Sequence, residues 1–203
     1  QSGFNALGSI LCGDVNPSGR TIDTFVYDLT QTPTANNFGN FTYTNMDEFK
    51  ANAFGTDTIP AFVNYVEGIY VGYKFYETAA AEGLIDYDKT VVYPFGRGLS
   101  YTTFTQSLNS VTEADGTITV DVTVTNTGSA SGKEVVEVYY NPPYTNGGLE
   151  KASANLIGFA KTSELAPGAS ENVTVTFKAE DMASYDTYGK GCYVLEKGDY
   201  VIS

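Results

Sequence analysis

GTITVDVTVTNTG, residues 116–128, alternates Ile118, Val120, Val122 and Val124 with polar residues between two glycines. Successive side chains of a strand point to opposite faces. A period of two therefore predicts a strand with one buried face and one wet face. KEVVEVYYNPP (133–143) predicts a second strand, stopped by Pro142 and Pro143, which have no N–H to give a ladder. NLIGFAKTSEL (155–165) supplies a third, and APGAS (166–170) is a turn. ENVTVTFKAED (171–181) alternates again through Val173, Val175 and Phe177, and CYVLEKGDYVIS (192–203) reads as a hairpin around Lys197-Gly198-Asp199. Strands and turns at this spacing predict an antiparallel β-sandwich over residues 107–203.

Residues 1–106 are of another kind. SGFNALGSILCG (2–13) sets Phe4, Leu7, Ile10 and Leu11 at helical spacing, with Gly13 suited to the C-terminal cap. Asn16-Pro17-Ser18-Gly19 has the residue preferences of a type I turn. Residues 21–60 read as a long surface excursion with little structure of its own. AFVNYVEGIYVGYKFYET (61–78) has no clear period and predicts a strand or turn leading into a short helix. AAAEGLIDYDKT (79–90) reads as a loop, and VVYPFGRGLSYTTF (91–104) as a strand broken by a glycine-rich corner. One amphipathic helix and few strands make a thin core, so this half reads as the tail of a larger domain. Gln1 in place of methionine predicts further sequence upstream, and Ser203 falls where a strand would continue.

The chain has 203 residues, 42% of them hydrophobic, and 24 acidic against 11 basic side chains for a net charge of −13. No basic face is visible for phosphates, which argues against a nucleic-acid partner. No apolar run reaches the length of a membrane-spanning helix. Histidine is absent, which removes Ser-His-Asp and Cys-His centres and histidine metal sites together. GDVNPSG (13–19) lacks the spacing of a phosphate loop. Cys12 and Cys192 are too few and too far apart for a disulfide framework, and read as buried free thiols in a reducing, cytoplasmic compartment. The sequons at Asn40 and Asn172 are short enough to arise by chance. Of the carboxylates, Asp14, Asp23, Asp28, Glu67 and Glu77 stand out as candidates for acid–base work on glycosides. For Glu67, a bond to nearby backbone or a pair with Lys74 is the plainer reading. Tyr65, Tyr70, Tyr73 and Tyr76 read as core filling rather than as a sugar platform.

Taken in order, these segments resemble the C-terminal portion of glycoside hydrolase family 3, the β-glucosidase family. QSGFNALGSILCGDVNPSGR (1–20) is similar to the helix and Asn-Pro-Ser-Gly segment near the end of that family's α/β-sandwich domain. YVEGIYVGYKFYE (65–77) and the join YPFGRGLSYTTF (93–104) follow it. VTVTNTGSASGKEVVEVYYNPP (122–143), LIGFAKTSELAPG (156–168) and ASYDTYGKGCYVLEKGDYVIS (183–203) resemble its fibronectin type III-like domain. Lys74 stands where relatives commonly carry arginine, and Arg97 where an aromatic residue is common. The resemblance implies a mainly β chain: the tail of an α/β-sandwich domain (1–106), then an immunoglobulin-like β-sandwich (107–203). It also implies a retaining β-glycoside hydrolase as parent. The family's aspartate nucleophile lies in a (β/α)₈ barrel and its glutamate acid/base lies upstream of the Asn-Pro-Ser-Gly segment. No catalytic residue, cofactor or metal ligand therefore falls on this chain, and its partners are the rest of the parent and a β-glycoside. The excursion at 21–45 favours the permuted domain order, with the barrel following the sandwich. The competing reading is a stand-alone fibronectin type III-like binding module.

Overall fold

A computed structural model describes residues 3–37, 39, 41–44, 51–53, 56–58 and 61–203. Helix α1 spans Gly3–Leu11, and Gly13 beyond it takes a φ of 80°, the left-handed geometry that lets a helix end. Strand β1 (Phe25–Val26) is followed by two 3₁₀ turns, Leu29–Gln31 and Pro33–Asn37. Strands β2 (Ala51–Ala53) and β3 (Thr56–Thr58) pair antiparallel. Helix α2 (Tyr73–Ala81), helix α3 (Tyr87–Thr90) and strand β4 (Val91–Tyr93) complete this half, with β4 antiparallel to β1.

The sandwich begins at β5 (Phe104–Ala114) and β6 (Thr117–Asn126), then β7 (Val135–Asn141), β8 (Asn155–Lys161) and β9 (Ser170–Lys178). A 3₁₀ turn (Ala179–Met182) leads to β10 (Ser184–Tyr185), β11 (Tyr193–Val194) and β12 (Val201–Ile202). One sheet has the order β5-β6-β9 and the other β12-β7-β8, all pairings antiparallel. The alternation seen in the sequence is the alternation of burial. Ile118, Val120, Val122 and Val124 of β6 face Val136 and Val138 of β7, with Val173, Val175 and Phe177 of β9 beside them. A Cβ on Gly158 would stand 2.7 Å from the Val175 side chain, so glycine lets the two sheets approach at that point.

The two halves are unequally covered. Of the 16 buried hydrophobic residues among those described, 13 belong to the sandwich, and only Tyr76, Ala79 and Val91 precede it. Of the 29 exposed large hydrophobic residues among those described, 20 lie before residue 102. On α1 the face that the sequence marks as apolar is open: Phe4 is 72%, Leu7 51% and Leu11 74% exposed. Apolar area left in water forgoes roughly 25 cal/mol per Å². The first half thus gains little from burial of its own.

Several local expectations fail for identifiable reasons. Residues 16–19 form no turn, because the Asn16 side chain is engaged with residues 100, 101 and 131 instead of closing one. In the described part of 21–60 the elements are short, and β1 finds its partner in β4, more than sixty positions on. Residues 79–90 are not a loop: α2 runs through Ala81, and Asp86 caps α3 by accepting from the Lys89 N–H. Residues 192–203 are not a hairpin, for β11 pairs with β10 while β12 crosses to the edge of β7. Cys12 and Cys192 are free but exposed rather than buried.

Candidate functional site

Two places gather polar side chains in a way that secondary structure alone does not require. The first is the seam between the halves. Asn16 donates to the Ser131 carbonyl at 2.8 Å and accepts from the Ser100 hydroxyl at 3.0 Å and the Tyr101 N–H at 2.8 Å. The Tyr101 hydroxyl donates to the Ile10 carbonyl at the end of α1. The Arg20 guanidinium pairs with Glu134, which also accepts from Gln106, and the Lys161 ammonium donates to the Ser18 carbonyl. A Cβ on Gly98 would meet the Gly19 carbonyl oxygen at 2.6 Å, so the glycine-rich corner is what admits residues 19–21 alongside it. There the Thr21 N–H donates to the Arg97 carbonyl and the Gly96 N–H to the Thr21 carbonyl.

The seam continues along α2. The Leu156 N–H of β8 donates to the Tyr73 hydroxyl at 2.8 Å, and the Ser153 N–H donates to the Thr78 hydroxyl at 3.0 Å. The Tyr73 ring lies 4.6 Å from Phe95 and edge-on to Tyr139. Burial pushes the Tyr73 phenol above its ordinary range, and burial with the bond to Glu137 does the same to Tyr139. Both therefore serve as neutral hydrogen-bonding rings. At the root of the sandwich, Asn126 is fully buried and makes four hydrogen bonds. One of them comes from Thr102, two positions before β5.

The second place is a cleft of about 780 Å³ between the 3₁₀ turns and the start of α2, lined among others by Asp23, Phe25, Leu29, Glu67, Val71 and Tyr76. Among the described residues Glu67 pairs neither with Lys74 nor with backbone; it accepts from the buried Asn37 side chain. Lys74 has its ammonium pushed below the ordinary lysine range by burial. Of the other candidate carboxylates, Asp28 caps the first 3₁₀ turn, and the Thr30 hydroxyl holds its carboxyl below the usual range. Glu77 accepts from the Tyr87 hydroxyl, and Asp14 lies at a separate cleft beside Lys133 and Lys161. Only Asp23 and Glu67 share one concave site. Among the described residues no three His, Cys, Asp or Glu side chains converge as a metal would require. Tyr76 is buried and Tyr65 exposed, so the tyrosines do not form one surface. Arg97 stacks its guanidinium over the Tyr93 ring at 5.1 Å.

The sequence reading missed Arg20, Glu134 and Asn126. Their signal was faint: an asparagine ending an alternating strand and two ordinary charges 114 positions apart.

Comparison with known proteins places these features. The fibronectin type III-like domain family matches residues 134–203. Along 96% of its length the chain is 39% identical to β-glucosidase A of Butyrivibrio fibrisolvens, and along 98% it is 36% identical to a β-glucosidase of Ruminococcus albus. It spans only 23% and 18% of those two proteins, about a fifth of the curated relatives it matches. Among solved structures, a β-glucosidase from Paenibacillus barengoltzii superposes with a TM-score of 0.78 at 38% identity, over 97% of this chain and 19% of that one. The GH3 β-glucosidase of Bifidobacterium adolescentis does so with a TM-score of 0.76 at 30% identity, over 100% of this chain and 26% of its own.

Proposed function

We infer that this chain, which belongs to the β-glucosidases of glycoside hydrolase family 3, is a non-catalytic region that braces the catalytic part of its parent enzyme. The parent reaction is hydrolysis of terminal β-glycosides. The observation that carries this reading is the unequal burial of the two halves, joined by a dense polar seam. A self-covered sandwich holds, through Asn16, Arg20, Tyr73 and Thr78, a segment whose apolar helix face is exposed. The rest of the parent, its barrel and the remainder of its α/β layer, is the partner that covers α1. The two free thiols suit a reducing, cytoplasmic location.

The test is an aryl β-glucoside assay on this chain and on the whole protein that contains it. We expect hydrolysis by the whole protein and none by the chain. Turnover by the chain alone, at a rate that scales with its concentration, would overturn the reading. One observation favours the second reading, a self-standing module: the sandwich core is complete by itself. That reading predicts a native protein of the chain's own size, 21.8 kDa.

A further inference from the structure

The loop 142–154, between β7 and β8, lies between two sets of contacts. On one side it meets the turn that leads into β12. The Lys151 side chain is 2% exposed, and its ammonium donates to the Pro143 carbonyl and pairs with Glu196, which is 44% exposed. Gly198 packs on Pro143, where a Cβ would stand 2.7 Å from the proline ring. On the other side it meets the first half. Tyr70 donates its hydroxyl to the Glu150 carboxylate, and the Ser153 and Leu156 N–H groups donate to the Thr78 and Tyr73 hydroxyls. Glu150 and Lys151 are neighbours in the chain, so the same few backbone angles set both the buried ammonium and the bond to Tyr70.

From Tyr70 the contacts run on to the cleft that Glu67 lines. The Tyr70 N–H donates to the Glu67 carbonyl at 3.0 Å, across a turn in which Gly68 takes a φ of 59°. The Glu67 carboxylate in turn accepts from the buried Asn37 side chain. Burial and the bond to Glu150 push the Tyr70 phenol above its ordinary range, so it remains a donor to that carboxylate. Charge gives the loop two states. An ammonium stays buried only with its counter-charge, and without one it gains by reaching water. Lys151 would reach water by lifting the loop, which draws Glu150 away from Tyr70.

We propose that the loop 142–154 is a conformational relay, held shut by the Lys151–Glu196 pair, that sets the position of Glu67 in its cleft. Lys151, Glu196 and Tyr70 are its positioning residues: none of them lines the cleft, and each acts on Glu67 through the next. The relay rests on the chain's own contacts and not on the function proposed above.

The experiment follows, in the isotope-labelled chain, amide exchange at Ser153 and Leu156 and the side-chain amide signals of Asn37. Glu196→Gln keeps the shape of the side chain and removes its charge. Exchange at Ser153 and Leu156 should then rise about tenfold as the ammonium seeks water, and the Asn37 signals should move as Glu67 shifts. Adding Lys151→Met to Glu196→Gln should restore both, because an apolar side chain of similar length needs no partner. A role in packing alone would instead leave the double variant at least as loose as Glu196→Gln. Tyr70→Phe cuts the relay beyond the loop, and should move the Asn37 signals while Ser153 and Leu156 stay as they were. Exchange in β6 and β9 must hold at the parent level in every variant, which separates opening of the loop from loss of the fold. Unmoved Asn37 signals in Glu196→Gln or in Tyr70→Phe, a double variant as loose as the single one, or loosening shared by β6 and β9 overturns the proposal.

Discussion

Truncating Asn126 to alanine is expected to cost the sandwich about 4 kcal/mol, by the following count. The side chain is 0% exposed. Its amide donates to the Ala130 and Leu165 carbonyls at 2.8 Å each, and its oxygen accepts from the Thr102 hydroxyl at 2.7 Å and the Gly128 N–H at 3.1 Å. Each such bond is worth about 1 kcal/mol net, and a buried group left unpaired loses at least that much. Thr102 and Leu165 are themselves buried, so water cannot replace the lost partner without opening the end of the sandwich. Against a total stability of about 5–15 kcal/mol this is a large fraction. With a urea slope of about 1–3 kcal/mol/M the midpoint should fall by more than about 1 M at unchanged slope. Asn126→Asp adds a direction in pH. Its new oxygen would face two carbonyls, so burial and repulsion raise the folded-state pKa above the unfolded one. Stability would then be retained below the unfolded pKa and lost as pH rises through the folded pKa. A midpoint shift in Asn126→Ala equivalent to less than about 1 kcal/mol would refute the claim that this residue pins the strand ends to the linker.

Other outcomes follow from the same contacts. Arg20→Ala leaves Glu134 inside the seam without its cation, and should cost about 2 kcal/mol, below the range for a fully buried pair because the guanidinium is partly exposed; faster amide exchange at Thr21, Gly96 and Arg97 would locate the loss. The Thr24 hydroxyl is shut away from water with no hydrogen-bond partner among the described residues. Thr24→Val should therefore leave stability unchanged or raise it by up to about 1 kcal/mol in urea unfolding, and a loss larger than that would reveal a partner. Asp186 has its folded pKa lowered by the backbone N–H groups it accepts. Its support for the loop between β10 and β11 is present above its unfolded pKa and lost as pH falls through the lower folded one. Amide shifts of Gly189 and Lys190 should thus move only in strong acid, and movement near neutral pH would contradict the assignment.

The sandwich was legible because its strands are long and half-buried, and a period of two repeated through Ile118, Val120, Val122 and Val124 has one structural meaning. Helix α1 was legible for a similar reason, although its apolar face proved open. Short elements were not. Strand β1 is two residues whose identity as a strand depends on β4, a pairing that no local pattern encodes. Residues 192–203 looked like a hairpin because a Lys-Gly-Asp turn lies between apolar runs, but edges of other strands were the better partners. The seam was hidden for a different cause. Asn16, Arg20, Glu134 and Asn126 are ordinary polar residues until the fold brings positions a hundred apart into contact. The candidate carboxylates were visible as residues, but only Asp23 and Glu67 share a cleft, and sequence spacing gave no means to select them.

Hydrogen exchange on the isolated chain tests most directly whether the first half depends on a body outside the chain while the sandwich stands by itself. The account predicts strong protection in β6, β7, β8 and β9, and exchange orders of magnitude faster over residues 3–37 and 61–98, where little apolar surface is buried. Equal protection across both regions, lost together in a single cooperative transition of a monomer, would contradict it.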